Sequence, residues 1–188
     1  MRHRAIAIAS ALLVAGIAEA NGDTFTGCWP ITIANAAPLN PPSFARYPSV
    51  PSYGAKPAPV NLASHPRAKT YRTMLRDGAK SGPNFAGQYT IVGWGCGTSC
   101  LDFAIVDARS GAVYFPPFGV VSSVHVDTTP GEPEPTYGAL RYRVDSSLLV
   151  VLGAPGEAEE LEGISYYHWN GKKLVQVRHL KSLKDRDC

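Results

Sequence analysis

The stretch QYTIVGWGCGTSCLDFAIVD, residues 88–107, predicts two β-strands joined by a glycine-rich loop. The two flanking halves are rich in β-branched and aromatic residues, which is typical of strands bounded by turns. Cys96 and Cys100 lie in the connection, four positions apart. Because such near neighbours meet at high effective concentration in a tight loop, we expect a structural disulfide between them.

Six further segments with period-two or short apolar patterns follow this stretch. They are AVYFP, GVVSSVHV, GALRYRV, LLVVLGA, ISYYHWN and KLVQVRHL. The short connections leave no room for crossover helices, so the sheet should be antiparallel. Asn170-Gly171 predicts a two-residue type I′ turn, because both of its central positions need a positive φ. We expect Tyr166 or Tyr167 to pack inside this last hairpin, and Asp107 to begin a turn over residues 108–111.

Residues 66–79, PRAKTYRTMLRDGA, show helical periodicity. Ser64 is placed to cap the helix, and Pro66 fits the first turn. An apolar stripe recurs at three-residue and four-residue steps, formed by Ala68, Tyr71, Leu75 and Ala79. The other side of the helix is basic, with Lys69, Arg72, Arg76 and Lys80. Together these patterns predict an α+β domain, β-dominant, with one N-terminal helix followed by an antiparallel meander of about eight strands.

Residues 1–20 have the features of a secretory signal peptide. Arg2 and Arg4 precede an apolar run over residues 5–18, and Ala18-Glu19-Ala20 supplies a small-residue cleavage site. No later apolar run approaches the roughly 20 residues that a membrane-spanning helix needs. We therefore predict a periplasmic or secreted protein without a transmembrane segment.

The rest of the chain divides into a proline-rich part and a β-rich part. Residues 29–66 hold nine of the sixteen prolines, which remove backbone donors and disfavour helix and central strand. The predicted proline-rich part is residues 21–63. We expect an extended arm there, partly packed on the domain because it carries several aromatic residues. Residues 64–188 are long enough for a single β-rich domain. The formal net charge of +3 gives no reason to expect nucleic-acid binding, which normally shows as a strongly basic domain.

The chain contains four cysteines, and an even number in an exported protein favours disulfides. If Cys96 bonds Cys100, then Cys28 and Cys188 remain as a second pair, although the sequence alone leaves three connectivities open. A zinc site is disfavoured because the histidines are scattered along the chain. A redox motif would need two residues between the cysteines, and this loop has three. No metal or cofactor is expected.

Four motifs resemble those of an uncharacterised family of small exported bacterial β-rich proteins. They are NFAG at residues 84–87, WGCGTSC at residues 94–100, an IVD…SG hairpin at residues 105–111 and YYHWNGKK at residues 166–173. The resemblance covers about residues 69–177. It implies export and a compact β-rich domain, and it supplies no catalytic residues.

The favoured functional hypothesis is a non-catalytic envelope protein that binds a partner through disulfide-shaped loops, in an inhibitor, immunity-type or accessory role. A loop locked by a disulfide presents its backbone amides with little ordering cost. The candidate binding residues of this loop are Trp94, Gly95, Gly97 and Thr98, and the alternative for Trp94 is a core residue of its strand. The basic helix face of Lys69, Arg72 and Arg76 is a second candidate surface, and the partner would be an envelope protein or a polysaccharide.

Two alternatives remain open at this point. An envelope polymer hydrolase would use Asp102 with Asp107, or His125 with Asp127, as carboxylate and base pairs. However, residues five apart on a strand point to opposite faces, and no nucleophile motif accompanies the histidine. The third hypothesis is a structural or assembly role in which the proline-rich arm engages a partner in extended form. The acidic run at residues 157–162 is interpreted as a solvated loop, because it lacks a metal-loop register.

Overall fold

The computed structural model describes residues 23–27, 31–51, 54–126 and 138–184. Their strands are β1 (Asp23–Gly27), β2 (Tyr89–Gly97), β3 (Cys100–Asp107), β4 (Val113–Tyr114), β5 (Val121–Ser122), β6 (Leu140–Arg141), β7 (Leu148–Pro155), β8 (Gly163–Trp169) and β9 (Leu174–Lys184), and their α-helices are α1 (Ile33–Ala36) and α2 (Arg72–Ala79). Each of the eight predicted segments contains one strand. The prediction of an α+β, β-dominant fold is therefore confirmed.

The strands form one sheet in the order β1-β9-β8-β7-β5-β3-β2, with β4 paired to β3 and β6 paired to β7. All pairings among β2 to β9 are antiparallel, as predicted. β1 is the exception, because it pairs in parallel with β9. This strand lies in the part of the chain that the sequence predicted as an extended arm.

The sheet folds over on itself and encloses a central apolar cluster. Side chains from β2, β3 and β5 meet those from β7, β8 and β9 there; they include Ile91, Leu101, Phe103, Ile105, Val121, Leu149, Val151, Tyr167, Trp169 and Leu174. Tyr167 belongs to this cluster, and Tyr166 is buried on the opposite face of β8. Both tyrosines are thus packed inside, as expected for the last hairpin.

The outer face of β7, β8 and β9 is covered by residues 31–47. Ile31 and Ala36 are buried against these strands, and Phe44 and Tyr47 pack beside them. This covering segment consists of α1 and two short 3-10 turns, Ala37–Leu39 and Phe44–Arg46. Prolines are compatible with such turns because the first turn of a helix leaves its donors unpaired. Residues 31–47 are therefore a layer packed on the fold, and their helical turns differ from the extended conformation predicted for residues 21–63.

The outer face of β2 and β3 is covered by α2 and the turn before it. The predicted helix over residues 66–79 is divided, because residues Pro66–Lys69 form a 3-10 turn and α2 begins at Arg72. His65 caps this turn, since its Nδ1 accepts a hydrogen bond from the Arg67 amide at 3.2 Å. Ser64 was predicted as the cap, but its hydroxyl instead accepts from the Val113 amide at 2.9 Å.

The connection between β8 and β9 is longer than predicted. Trp169 pairs with Leu174, so four residues form the loop. The side-chain Oδ1 of Asn170 accepts hydrogen bonds from the amides of Lys172 and Lys173 at 3.0 and 2.9 Å. Only Gly171 has a positive φ in this loop, at +89°. The type I′ prediction was wrong because the asparagine side chain organises the turn itself.

Several predictions concern residues outside the described ranges. They include the signal peptide of residues 1–20 and the pairing of Cys28 with Cys188, and both stay predictions. None of the helices in the described part of the chain is long and apolar enough to cross a membrane.

Substitution of Gly171 by valine should destabilise the fold by about 1–3 kcal/mol, because a β-branched residue is strained at positive φ. A Cβ atom at this position would meet nothing closer than the Tyr89 hydroxyl at 3.7 Å, so the effect isolates backbone strain. Urea unfolding measures it. Gly171→Asn is the matched control and should cost less, and an unchanged midpoint for the valine variant would contradict the prediction.

Substitution of Gly78 by alanine should also destabilise the protein, although alanine normally favours a helix interior by about 1 kcal/mol. A Cβ atom on Gly78 would lie 2.4 Å from a methyl carbon of buried Val92. Overpacking of this kind costs about 1–3 kcal/mol. The double variant with Val92→Ala should lose less stability than the two single variants combined. Additive losses in a double-mutant cycle would show that the two residues do not oppose each other.

Candidate functional site

The tip of the β2–β3 hairpin carries the disulfide. Cys96 and Cys100 are bonded, with their Cα atoms 5.1 Å apart, which confirms the predicted pairing. Gly95 pairs with Leu101 and Gly97 pairs with Cys100, so Cys96 is the extra residue of a β-bulge. Gly97 has a φ of +147°, which favours glycine at this position. The ring therefore fixes the bulge and the two-residue tip that follows it.

The structure separates the four residues predicted to bind a ligand at this loop. Gly95, Gly97 and Thr98 are exposed at the tip. Trp94 is buried, and its ring lies 4.6 Å from that of Tyr71 and 6.2 Å from that of Phe115, measured between centroids. The indole is part of the core under α2, which corrects its prediction as a binding residue. The tip itself offers mainly backbone groups and small side chains.

Beside Trp94, a buried ion pair fastens the segment before α2 to the sheet. Asp102 is 1% exposed, and its Oδ2 accepts a hydrogen bond from Arg67 Nη2 at 2.7 Å. Its Oδ1 accepts from the amide of Phe103 at 2.9 Å. The Arg67 guanidinium also lies over the Phe115 ring, 4.3 Å from the centroid, in a cation–π contact. Both oxygens of Asp102 are thus engaged in holding the fold together.

The other residues of the hydrolase hypothesis are engaged in a similar way. Asp107 begins the predicted turn, because its carboxylate accepts from the Arg109 amide and the Ser110 hydroxyl, both at 2.9 Å. His125 forms an ion pair with Glu162, and Asp127 lies outside the described residues. The structure does not bring Asp102 and Asp107 into one site, because each carboxylate is bound to a different part of the fold.

One serine–histidine pair was not found from the sequence. Ser165 Oγ lies 2.9 Å from His179 Nδ1 across the β8–β9 ladder. Burial, and secondarily the charge of Lys181, lower the pKa of His179, which favours its neutral form. Ser165 is only 1% exposed, so a substrate has no access to its hydroxyl. We therefore treat this pair as part of the interior.

A groove lies between α2 and the proline-rich residues 56–60. It has a volume of about 600 Å³ and is lined by Lys56, Pro57, Ala58, Pro59, Val60, Thr73, Arg76, Asp77, Ala79 and Lys80. Its volume falls within the range of about 300–1,000 Å³ that is usual for ligand sites. The groove joins two features that the sequence had indicated separately, the basic helix face and the proline-rich segment.

The proline-rich wall of the groove is anchored to the turn after β3. The amides of Ala58 and Asn61 donate to the carbonyls of Ala108 and Gly111, both at 2.8 Å. A Cβ atom on Gly111 would lie 2.0 Å from the Pro59 carbonyl oxygen. Only glycine permits this approach, and Gly111 also has a φ of +71°. The wall is therefore held in place before any ligand binds.

The charge of the groove is positive. Lys56, Arg76 and Lys80 contribute three cations and Asp77 one carboxylate. The Asp77 carboxylate lies 2.7 Å from the Lys80 ammonium. No carboxylate in the described part of the chain pairs with Arg76, which is exposed. Prolines and a valine line the apolar part, so the groove suits a negatively charged group attached to a small apolar body.

Lys69 and Arg72 are exposed on the same basic face but do not line the groove. The Arg72 guanidinium instead approaches the Lys69 carbonyl at 3.4 Å. Of the three predicted helix residues, Arg76 alone belongs to this groove.

Comparison with known protein families, with curated proteins and with solved structures finds no match to this chain. Within the described ranges, no three histidine, cysteine, aspartate or glutamate side chains lie close enough together to hold a metal ion.

The substitution Arg67→Ala should destabilise the protein more than the substitution Asp102→Asn, which neutralises the other member of the ion pair. Arg67→Ala leaves a buried carboxylate without a counter-charge, which costs about 3–5 kcal/mol. Asp102→Asn leaves a guanidinium whose side chain is 35% exposed and can reach water, so its cost should be smaller. Urea unfolding of the two variants tests the order. Equal losses, or a larger loss for Asp102→Asn, would contradict the account of this ion pair.

Proposed function

We propose that the protein is an exported, non-catalytic binding protein of the cell envelope, which captures an acidic segment of a partner protein in the groove. The observation that carries this proposal is the juxtaposition of Arg76, Lys56 and Lys80 with an apolar wall of prolines. An inhibitor, an immunity-type protein and an accessory protein would all require such a capture site.

The groove binds through side chains and not through strand addition. Pro57 and Pro59 have no amide hydrogen to donate. The amides of Ala58 and Asn61 already donate to the turn after β3. An incoming peptide therefore finds few free donors along this edge, and its affinity must come from charge and apolar contact.

The shape of the groove favours a projecting peptide over a membrane or a polysaccharide. Its apolar residues lie between two raised elements, where the flat surface of a bilayer makes little contact. None of its lining residues is aromatic, so it lacks the large flat rings against which sugar rings pack. A short acidic segment with small apolar side chains satisfies both the cations and the prolines.

The fixed wall also supports a binding role. Residues that are ordered before binding lose little conformational entropy when a ligand arrives. The two backbone hydrogen bonds to residues 108 and 111 and the close approach at Gly111 provide this order. A proline-rich wall adds to it, because proline has a fixed φ.

The disulfide hairpin is a second candidate site. Its exposed residues Gly95, Gly97 and Thr98 are held by the Cys96–Cys100 ring. Such a ring closes few residues and adds only about 2 kcal/mol on the loop-entropy model, so fixing the tip for recognition is a second use for it. Substitutions in the groove and in the hairpin distinguish the two candidate sites, because each should weaken binding only where the ligand binds.

Substitution of Arg76 by glutamine should weaken binding of a short fluorescent peptide of alternating glutamate and alanine by roughly tenfold, which is about 1.4 kcal/mol. Fluorescence anisotropy at low salt measures the Kd. Arg72→Gln is the matched control, because it removes the same charge from the same helix outside the groove, and its Kd should stay within about twofold.

The double variant Cys96→Ser/Cys100→Ser completes this experiment. It should keep near-native circular dichroism and bind the peptide as the parent does. If it loses binding while Arg76→Gln retains it, the hairpin is the site and the groove proposal is wrong.

A further inference from the structure

A projecting acidic turn connects β7 and β8. Its backbone is closed by hydrogen bonds from the Leu161 amide to the Ala158 carbonyl at 2.9 Å and from the Glu162 amide to the Glu159 carbonyl at 3.1 Å. Three of its carboxylates, those of Glu157, Glu159 and Glu160, are exposed. None of these three pairs with a cation in the described part of the chain. We call residues 156–162 the acidic turn.

The acidic turn has the chemistry that the groove requires. Its carboxylates flank the small side chain of Ala158, and the partly buried Leu161 follows them. The groove presents three cations and the Asp77 carboxylate around prolines and Val60, so its net charge is positive. Glu162 is excluded from the match, because it pairs with His125. The turn and the groove are therefore complementary in charge.

The two surfaces are built on different strands of the sheet. The groove is built on α2, which packs on β2 and β3, whereas the acidic turn packs against β7 and β9. The turn is also tied to the sheet, since the Ser182 amide donates to the Glu162 carbonyl at 2.9 Å. The turn and the groove are thus built on different strands of the sheet, and the proposed contact between them is one between two molecules.

We propose that the groove of one molecule binds the acidic turn of a second copy of this chain, so that the protein associates head to tail. This inference rests on the proposed function of the groove and names its occupant when no other partner is present. Because the two contacting surfaces differ, a pair of molecules still offers one free groove, on one molecule, and one free turn, on the other. The association is therefore open-ended, and an external acidic partner would compete with it.

Sedimentation equilibrium of the exported chain tests the proposal. The average mass should rise beyond that of a dimer as the protein concentration increases from low micromolar to millimolar, since a small interface binds weakly. The rise should be present at about 0.01 M salt and lost at about 1 M, where screening shortens the Debye length to about 3 Å. A mass that stays monomeric at low salt would overturn the proposal.

Two sets of substitutions locate the contact. The groove variant carries Arg76→Gln and Lys80→Gln, and the turn variant carries Glu157→Gln, Glu159→Gln and Glu160→Gln. Each variant alone should remain monomeric. An equimolar mixture should form a heterodimer that grows no further, because each molecule retains only one working surface. The control variant Lys172→Gln/Lys173→Gln removes two exposed cations of the β8–β9 loop and should associate as the parent does.

The variants alter exposed side chains, so circular dichroism should show an unchanged fold. Association of either variant alone at the parent's level, or a mixture that stays monomeric, would overturn head-to-tail pairing. The peptide-binding assay separates this failure from failure of the proposed function. If the parent is monomeric but binds the acidic peptide in an Arg76-dependent way, the groove has another occupant and the proposed function stands. If the peptide does not bind either, both proposals are wrong.

Discussion

Both faces of the folded sheet are apolar: the inner face encloses the central cluster, and the outer face requires covers from outside the sheet. β7 shows the constraint most clearly, because every residue from Leu148 to Pro155 is buried. Its side chains alternate between the central cluster and the cluster under residues 31–47. A strand buried on both sides contributes its full hydrophobic free energy only when both layers are present. The N-terminal layer and α2 are therefore as much a part of the fold as the strands.

The groove follows from the way in which the second cover is attached. α2 approaches β2 closely because Gly78 has no side chain to meet Val92. The residues before the helix are held by the Arg67–Asp102 ion pair, and the proline-rich wall is held at Gly111. These three attachments leave the groove between α2 and the proline-rich wall, and the polar side of α2 forms the other wall of the groove. A surface that faces away from the core thus acquires a defined shape.

The strands could be predicted from the sequence, whereas the contacts between distant segments could not. Period-two patterns and turn residues identified all eight strands from β2 to β9. β1 was missed because DTFTG has no pattern of its own and is specified by parallel pairing with β9.

At the site, the basic helix and the prolines were each predicted from the sequence, but only the fold places Arg76 beside residues 56–60. Trp94 was predicted to belong to the loop, because the sequence at the end of this strand does not show that α2 covers the indole ring. Ser165 and His179 meet only through the ladder register.

The bulge at Cys96 has a consequence for the behaviour of the sheet edge. β2 is the last strand in the order. The backbone groups of Tyr89 and Ile91 are hydrogen-bonded to residues 84 and 85, so the part of this edge that could pair with another chain lies beyond Ile91. A bulge breaks the regular spacing of the backbone groups and increases the local twist. The Cys96–Cys100 ring makes this irregularity permanent at the exposed end of the strand. An irregular strand end of this kind disfavours edge-to-edge pairing with another chain, an effect that a measurement of unfolding free energy does not report.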